Sequence, residues 1–450
     1  MQPNIPSSKP PIELETRKWY LPVLTKFFLG HCAAFTWMVF SIYLSIPWVK
    51  DLADIVSFPM AVIIITGIAY IPGYLNAFLV SSLLLDRQPK LKIEYPTDPV
   101  TILIAVYNEE KTIATTLRYI KNQDYSGTIE TIVINNGSTD NTVSEIQNAS
   151  QELRMNVRIF HEYKKGKFHA LNHGLAHVMT PYVITLDADT LLHPSAVRYL
   201  VARMKSSPRE VCAVAGSVLV RNSRENVWTK IQEWDYFLGI ASIKRLQGLY
   251  QGTLVAQGAF SLYKTECVKE VDGWPNAIGE DIVLTWRFLK QGWKVYFEPL
   301  AVAFTEVPTT FSHFIKQRSR WARGMIEGLK EIKPWQQPML YTKYLTGTNF
   351  IMPYLDVSYT LFWIPGLLLA FFGYYWIVGP MTLFVLPLTL ISYGILYVYQ
   401  RDQVFKPLHL RVRKNKMGFL LYVLIYQMIM SPVSVWGYVQ EFFQLKRVWK

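Results

Sequence analysis

The alternation of apolar and polar positions divides the chain into three parts. Nearly uncharged apolar runs at 27–48 and 56–85 are long enough to cross a bilayer, with Pro72-Gly73 predicting a kink in the second. From about 97 to 335 no run is that long. Short β-branched stretches at 100–106, 130–134, 157–160, 182–186 and 212–220 instead alternate with helix-periodic ones at 109–123, 139–151 and 168–178. This alternation predicts an α/β domain, a mostly parallel sheet with crossover helices. From Phe311 the period is helical: Phe311, Ile315, Ala322, Met325 or Ile326, and Leu329 recur with Lys316, Arg318, Arg320 and Arg323 between them. Such a basic amphipathic helix either lies among lipid headgroups or packs on a core. Further apolar runs follow at 350–372, 381–399 and 418–438. The expected organisation is a tail and two spans over 1–96, an α/β domain ending in the amphipathic helix over 97–335, and an α-helical transmembrane block over 336–450.

Charge orients these spans. Arg17, Lys18 and Lys26 precede the first, whereas the link to the second carries Lys50, Asp51 and Asp54. The positive-inside rule therefore puts the N-terminus and the α/β domain in the cytoplasm of a multi-pass inner (plasma) membrane protein. Arg401, Lys406, Arg411, Arg413, Lys414 and Lys416 make the loop before the last span cytoplasmic as well. Lys446, Arg447 and Lys450 would then fall outside, so either that span, with Pro432 inside it, is re-entrant or the tail breaks the rule. The 26 residues ahead of the first span are too long and polar for the start of a signal peptide, so the span is expected to be retained. A hydrophobic fraction of 51% agrees with a chain that is partly membrane. The net charge of +13 could suggest nucleic acid, but the basic residues gather beside the apolar spans. Lipid headgroups and anionic substrates are the expected partners, and nucleic acid is not. Cys32, Cys212 and Cys267 are too scattered for a disulfide framework or a zinc site.

The candidate chemistry sits where strands end. Asp187-Ala188-Asp189 follows the run at 182–186, and two carboxylates there suit a hard divalent cation; a helix cap at Asp189 or Thr190 is the alternative. Tyr107-Asn108-Glu109 follows the first run, where Tyr107 can stack on a base and Glu109 accept from base or ribose, or else Asn108 caps a helix. Asn135-Asn136-Gly137-Ser138 is a turn sequence, and Lys164-Lys165-Gly166-Lys167 is either a diphosphate loop or a solvated charge run. Gly279-Glu280-Asp281 opens a helix; Asp281 is a cap or a general base. Gln317, Arg320 and Trp321 share a helix face suited to sugar or phosphate oxygens and to stacking on a pyranose.

Taken in order, these motifs resemble those of the processive, membrane-embedded family 2 glycosyltransferases, which include cellulose, chitin and hyaluronan synthases. The stretch Arg221-Asn222 to Trp228 and Trp234, with Gln257-Gly258-Ala259-Phe260, looks most like the poly-β-1,6-N-acetylglucosamine synthases. The resemblance implies a GT-A fold and inverting transfer from a UDP-sugar, with Mg²⁺ or Mn²⁺ as cofactor. It implies polymerisation of N-acetylglucosamine from UDP-N-acetylglucosamine onto a growing polysaccharide exported through the bilayer. Hyaluronan-, chitin- or cellulose-type synthesis and single transfer to a lipid carrier are the competing activities, and a small membrane partner subunit is compatible with it. By the same resemblance Tyr107 and Glu109 would hold uridine, Lys167 the nucleotide, Asp189 the metal and Asp187 the donor. Asp281 would be the base, and Gln317, Arg320 and Trp321 would hold the diphosphate and the acceptor end. One departure is Asn136, where the family usually has aspartate: an amide can pair with uracil but carries no charge.

Overall fold

A computed structural model describes residues 21–86, 89–412 and 414–445; Arg17, Lys18, Arg413, Lys446, Arg447 and Lys450, used above to orient the spans, lie outside the described residues. Its centre is an eight-stranded sheet in the order β3-β2-β1-β4-β7-β6-β8-β5. The strands are β1 (Val100–Val106), β2 (Ile129–Asn135), β3 (Val157–His161), β4 (Tyr182–Leu186), β5 (Leu191–Leu192), β6 (Val211–Val220), β7 (Phe260–Lys264) and β8 (Lys294–Thr305). β1 reads as one apolar run because both of its faces are covered: Ile102, Ile104 and Val106 join one core cluster while Leu103 joins the other.

The strands and crossover helices expected from the pattern form within a few residues of their predicted bounds, except that the helix expected from 109 begins only at Ile113. β5, β7 and β8 were not expected, and they make the sheet mixed. β7 inserts antiparallel between β4 and β6, and β5 pairs antiparallel with β8, while β1–β2, β2–β3, β1–β4 and β6–β8 are parallel. Pro299 lies within β8 and cannot donate to a strand ladder. It is tolerated because the β6–β8 register jumps there, from Ala215↔Phe297 to Ser217↔Val302, so no ladder hydrogen bond is asked of it. Because of these directions, the carboxyl ends of β1, β2, β4, β6 and β8 and the start of β7 all lie along one edge.

Among the described residues, four helices are long and apolar enough to cross a membrane: Val23–Ala53, Phe58–Leu84, Leu340–Phe371 and Lys416–Phe442. The run at 381–399 forms the helix Pro380–Gln400. The π-turns Thr66–Tyr70, Tyr359–Trp363 and Arg401–Phe405 each hold the residue four before a proline (Pro72, Pro365, Pro407), widening the helix where the ring would strike a carbonyl. Lys26, read as a flanking charge, is instead buried within the first helix.

The amphipathic segment forms the helix Phe311–Glu331, and its environment decides between headgroup layer and core. It packs on the last span so closely that a Cβ on Gly437 would fall 2.5 Å from the Ser319 carbonyl oxygen. Of its four interspersed basic residues only Lys316 and Arg320 face outward; Arg318 and Arg323 are buried in ion pairs with Asp235 and Glu441. A further buried cluster joins the second span, the α/β domain and the helix Pro380–Gln400: Arg245 meets Asp86 at 2.7 Å, and Tyr399 donates to the same carboxylate.

Candidate active site

The loops after β1 and β2 are stitched together. Asn108 takes a left-handed conformation (φ 55°), which asparagine tolerates better than most residues. Its side chain accepts from Thr139 N at 2.8 Å and its backbone N donates to Ser138 Oγ at 3.0 Å, so it is a loop clasp and not a helix cap. Glu109 N donates to Thr142 Oγ1 at 2.8 Å. Tyr107 stands exposed on the rim.

Asn136 is nearly buried and fully engaged. Its amide nitrogen donates to the carbonyls of Glu162 (3.0 Å) and Lys164 (2.7 Å), and its amide oxygen accepts from Gly166 N at 2.9 Å. An aspartate could not make the two donations. The departure noted in the sequence thus has a structural counterpart: the amide pins the loop 162–166, which leads through Gly166 (φ +137°) into Lys167.

Lys167 is the hub of the acidic cluster. Its ammonium lies 2.6 Å from Asp187 and 3.7 Å from Glu280, and glycine at 258 leaves it room, since a Cβ there would sit 2.9 Å from Nζ. Burial opposes its charge, yet Asp187, Glu280 and Asp281 outweigh burial and hold it protonated well above the ordinary lysine range. Burial pushes the Glu280 carboxyl up to about 7, against the pull of Lys167 and helped by Asp281.

Asp189 sits deeper. Burial first, then the charges of Asp187 and Glu109, push it up to about 6, despite hydroxyl donations from Thr190 (3.2 Å) and Thr305 (3.3 Å). It caps no helix, because the next one, Ala196–Ser206, starts after Ser195. Oxygen donors repelling one another in a buried place fit a hard divalent cation. Among the described residues no three His, Cys, Asp or Glu side chains are grouped to hold an ion, so the pair would leave most of its shell to other oxygens.

Asp281 and Glu280 point apart, as expected for neighbours at a helix start. Glu280 faces Lys167, while Asp281 Oδ2 accepts from Gly258 N at 3.2 Å. The helix Glu280–Lys290 is capped from outside by Glu327, whose Oε2 accepts from Ile278 N (2.6 Å) and Gly279 N (3.2 Å). A Cβ on Gly279 would lie 2.7 Å from the Gly324 Cα, so the two backbones touch. This contact draws the Gln317–Trp321 segment to the carboxylates.

There the structure modifies the expected face. Trp321 is 39% exposed, and the Gln317 Oε1 is buried without a hydrogen-bond partner among the described residues. Arg320 is exposed, and among the described residues no hydrogen bond or ion pair joins it to the acidic cluster. Arg318, not singled out above, is buried with its guanidinium carbon 4.0 Å from the Trp321 ring centroid. Tyr236, whose phenol burial pushes up to about 12, feels the charges of Asp187 and Asp189 and lies 6.4 Å from Trp321 centroid to centroid; it bridges the two halves of the site. Sequence reasoning missed Arg318, Asp235, Tyr236, Glu280 as the partner of Lys167, and Glu327. Only Asp235, an acid set among Trp234, Tyr236 and Phe237, carried a local signal.

Comparison with known proteins places this geometry. The family model described as glycosyltransferase like family 2 matches residues 96–324. The poly-β-1,6-N-acetyl-D-glucosamine synthase of Staphylococcus aureus (strain COL) is 35% identical over 243 residues, 53% of this chain and 57% of that protein. The synthase of the same name from Staphylococcus epidermidis is 32% identical over 263 residues, 58% and 63% respectively. The matches thus span less than two thirds of those relatives' length. A mannosyltransferase from Pyrobaculum calidifontis, solved with GDP-Man and Mn²⁺, shares the fold at TM-score 0.53 and 17% identity, over 94% of this chain and 100% of that one.

Proposed function

The chain belongs to glycosyltransferase family 2, and we propose that it is an inverting, processive enzyme polymerising N-acetylglucosamine from UDP-N-acetylglucosamine into a β-1,6-linked polysaccharide that leaves through its membrane spans. The observation that carries this reading is that the acidic cluster of Asp187 and Glu280 around Lys167, the separately directed Asp281 and the exposed Trp321 are drawn together by the Gly279–Gly324 contact, Trp321 lying on a helix packed against the apolar helix Lys416–Phe442. The relatives named as poly-β-1,6-N-acetyl-D-glucosamine synthases support the choice of sugar and linkage.

In this scheme Tyr107 and Glu109 take the uridine, and the loop clasped by Asn136 presents Lys167 to the nucleotide. Asp189, with Asp187 beside it, would hold Mg²⁺ or Mn²⁺, which when bound offsets charge on the diphosphate. Trp321 stacks on the acceptor sugar, and Gln317 takes one of its hydroxyls. Asp281 accepts the proton of the acceptor hydroxyl as that oxygen bonds to the anomeric carbon. The bond from that carbon to the diphosphate oxygen breaks with its electron pair leaving on UDP. Attack from the face opposite the leaving group needs a single base and inverts the anomeric centre. The catalytic domain is cytoplasmic, where UDP-sugars are made.

The test supplies membranes carrying the full chain with individual labelled UDP-sugars and digests the product with linkage-specific hydrolases. Label from UDP-N-acetylglucosamine in a β-1,6 polymer is expected. Incorporation that requires UDP-glucuronate, or comes only from UDP-glucose, refutes the assignment.

A further inference from the structure

Arg318 is an expensive residue to bury. Its side chain is 1% exposed, Nη2 donates to Asp235 at 2.8 Å, and Nε has no hydrogen-bond partner among the described residues. Replacing such a pair with apolar side chains usually costs a protein no stability, so its retention asks for another reason. Its surroundings supply one. The guanidinium lies against the Trp321 indole at 4.0 Å, with Phe314 at 5.3 Å and Tyr236 at 5.6 Å closing the same pocket. Asp235 opens the π-turn Asp235–Ile240, a feature common at functional sites, and Gly239 keeps the space clear: a Cβ there would crowd Asp235 Oδ1 and the Tyr422 hydroxyl, both at 3.1 Å. The indole is therefore backed by a fixed cation while a large part of it stays exposed.

We propose that Arg318, anchored on Asp235, is a positioning residue that holds the Trp321 ring in place as the platform for the acceptor sugar. This rests on the reading of Trp321 as the acceptor platform. A half-exposed indole can adopt several rotamers; a planar cation stacked on its inner side selects one, so the acceptor end returns to the same height after each addition. Lysine keeps the charge toward Asp235 but has no plane to stack.

The test measures acceptor KM, donor KM and kcat of the full chain in membranes, using N-acetylglucosamine oligosaccharides of defined length as acceptors. Arg318→Lys should raise acceptor KM about tenfold, because an ammonium keeps the charge but loses the planar stacking of the guanidinium on the ring, and leave donor KM within about twofold. Trp321→Ala should raise it at least as much, and the double variant no further than Trp321→Ala alone. If Arg318→Lys fails to insert, Asp235→Asn, which frees the guanidinium, should give the same split. Donor and acceptor KM rising together in either variant, or effects that multiply in the double variant, would overturn the proposal and leave Arg318 a packing residue. Should Trp321→Ala raise acceptor KM while Arg318→Lys and Asp235→Asn do not, the proposal falls alone. An unchanged acceptor KM in Trp321→Ala takes down the platform reading and the proposal with it.

Discussion

Asn136→Asp would restore the residue the family usually carries, and the two lines of reasoning forecast opposite results. By resemblance alone, a carboxylate should improve or preserve nucleotide binding. The structure forecasts damage. The substitution removes the two donations to the Glu162 and Lys164 carbonyls and turns a carboxylate oxygen toward them at 3.0 and 2.7 Å. Each lost hydrogen bond is worth about 1 kcal/mol net, and the repulsion between a carboxylate and two half-buried carbonyls adds to that, roughly 3 kcal/mol altogether. Because the clasped loop runs straight into Lys167, part of that loss should appear as donor affinity. UDP binding, measured calorimetrically on the detergent-solubilised chain, should weaken about ten- to a hundredfold. Limited proteolysis should cut faster at Lys164 and Lys165. Asn136→Ala loses the same donations and also the acceptor for Gly166 N, so it too should weaken UDP binding, without the pH dependence of the aspartate variant. Acidifying Asn136→Asp should recover some affinity, since a protonated carboxyl can donate to one of the two carbonyls. Equal or tighter UDP binding by Asn136→Asp, with unchanged proteolysis, would refute the assignment of Asn136 as the loop clasp.

Three other outcomes are expected. Asp281→Asn should lower turnover about 10²- to 10⁴-fold while UDP binding stays intact, because the base faces the acceptor; near-normal polymer from it beside a dead Glu280→Gln would move the role to Glu280. Asp189→Ala should abolish transfer and remove the dependence of UDP affinity on added Mg²⁺ or Mn²⁺, and retention of that dependence in titrations would exclude Asp189 as a ligand. Burial holds the His193 imidazole down to about 4, so the folded chain keeps it neutral where the unfolded chain takes up a proton. Its contribution is present above the ordinary histidine range and is lost as pH falls toward 4, by at most about 3 kcal/mol. Melting curves at pH 7 and pH 5 should therefore show a smaller acid shift for His193→Asn than for the parent chain, and equal shifts would refute this.

How much of the fold was legible depended on whether a segment's neighbours were local. β1 announces itself because Val100–Val106 is apolar on both faces, and the membrane runs do so by length. β8 did not, since Glu298 and Pro299 look like breakers in isolation. Glu298 is admitted by Arg203, which meets it at 2.6 Å from 95 residues away, and Pro299 by the register jump. The segment from Val227 to Leu249 hid for the same reason. Its Lys244 and Arg245 are charged, yet both are buried: Lys244 donates to the Val255 carbonyl at 2.7 Å and Arg245 pairs with Asp86. A buried charge in a sequence looks like an exposed one until its distant partner is known.

The candidate site divides along the same line. Groups proposed to touch a ligand lie in short motifs: Asp187, Asp189 and Asp281 because strand ends and helix starts expose a few consecutive residues to one edge of the sheet, and Trp321 because it sits on the outward face of a helix. Groups that hold those in place come from elsewhere in the chain: Glu327 caps the helix bearing Asp281, and Asp235 reaches Arg318 across 83 residues. Helical period put Gln317, Arg320 and Trp321 on one face and was right about the geometry of a helix. It could not tell which arginine turns inward, because that is decided by where an unpaired carboxylate waits. Asp235 draws in Arg318 and leaves Arg320 exposed, so the arginine that shares the face of Gln317 and Trp321 is not the one that backs the tryptophan.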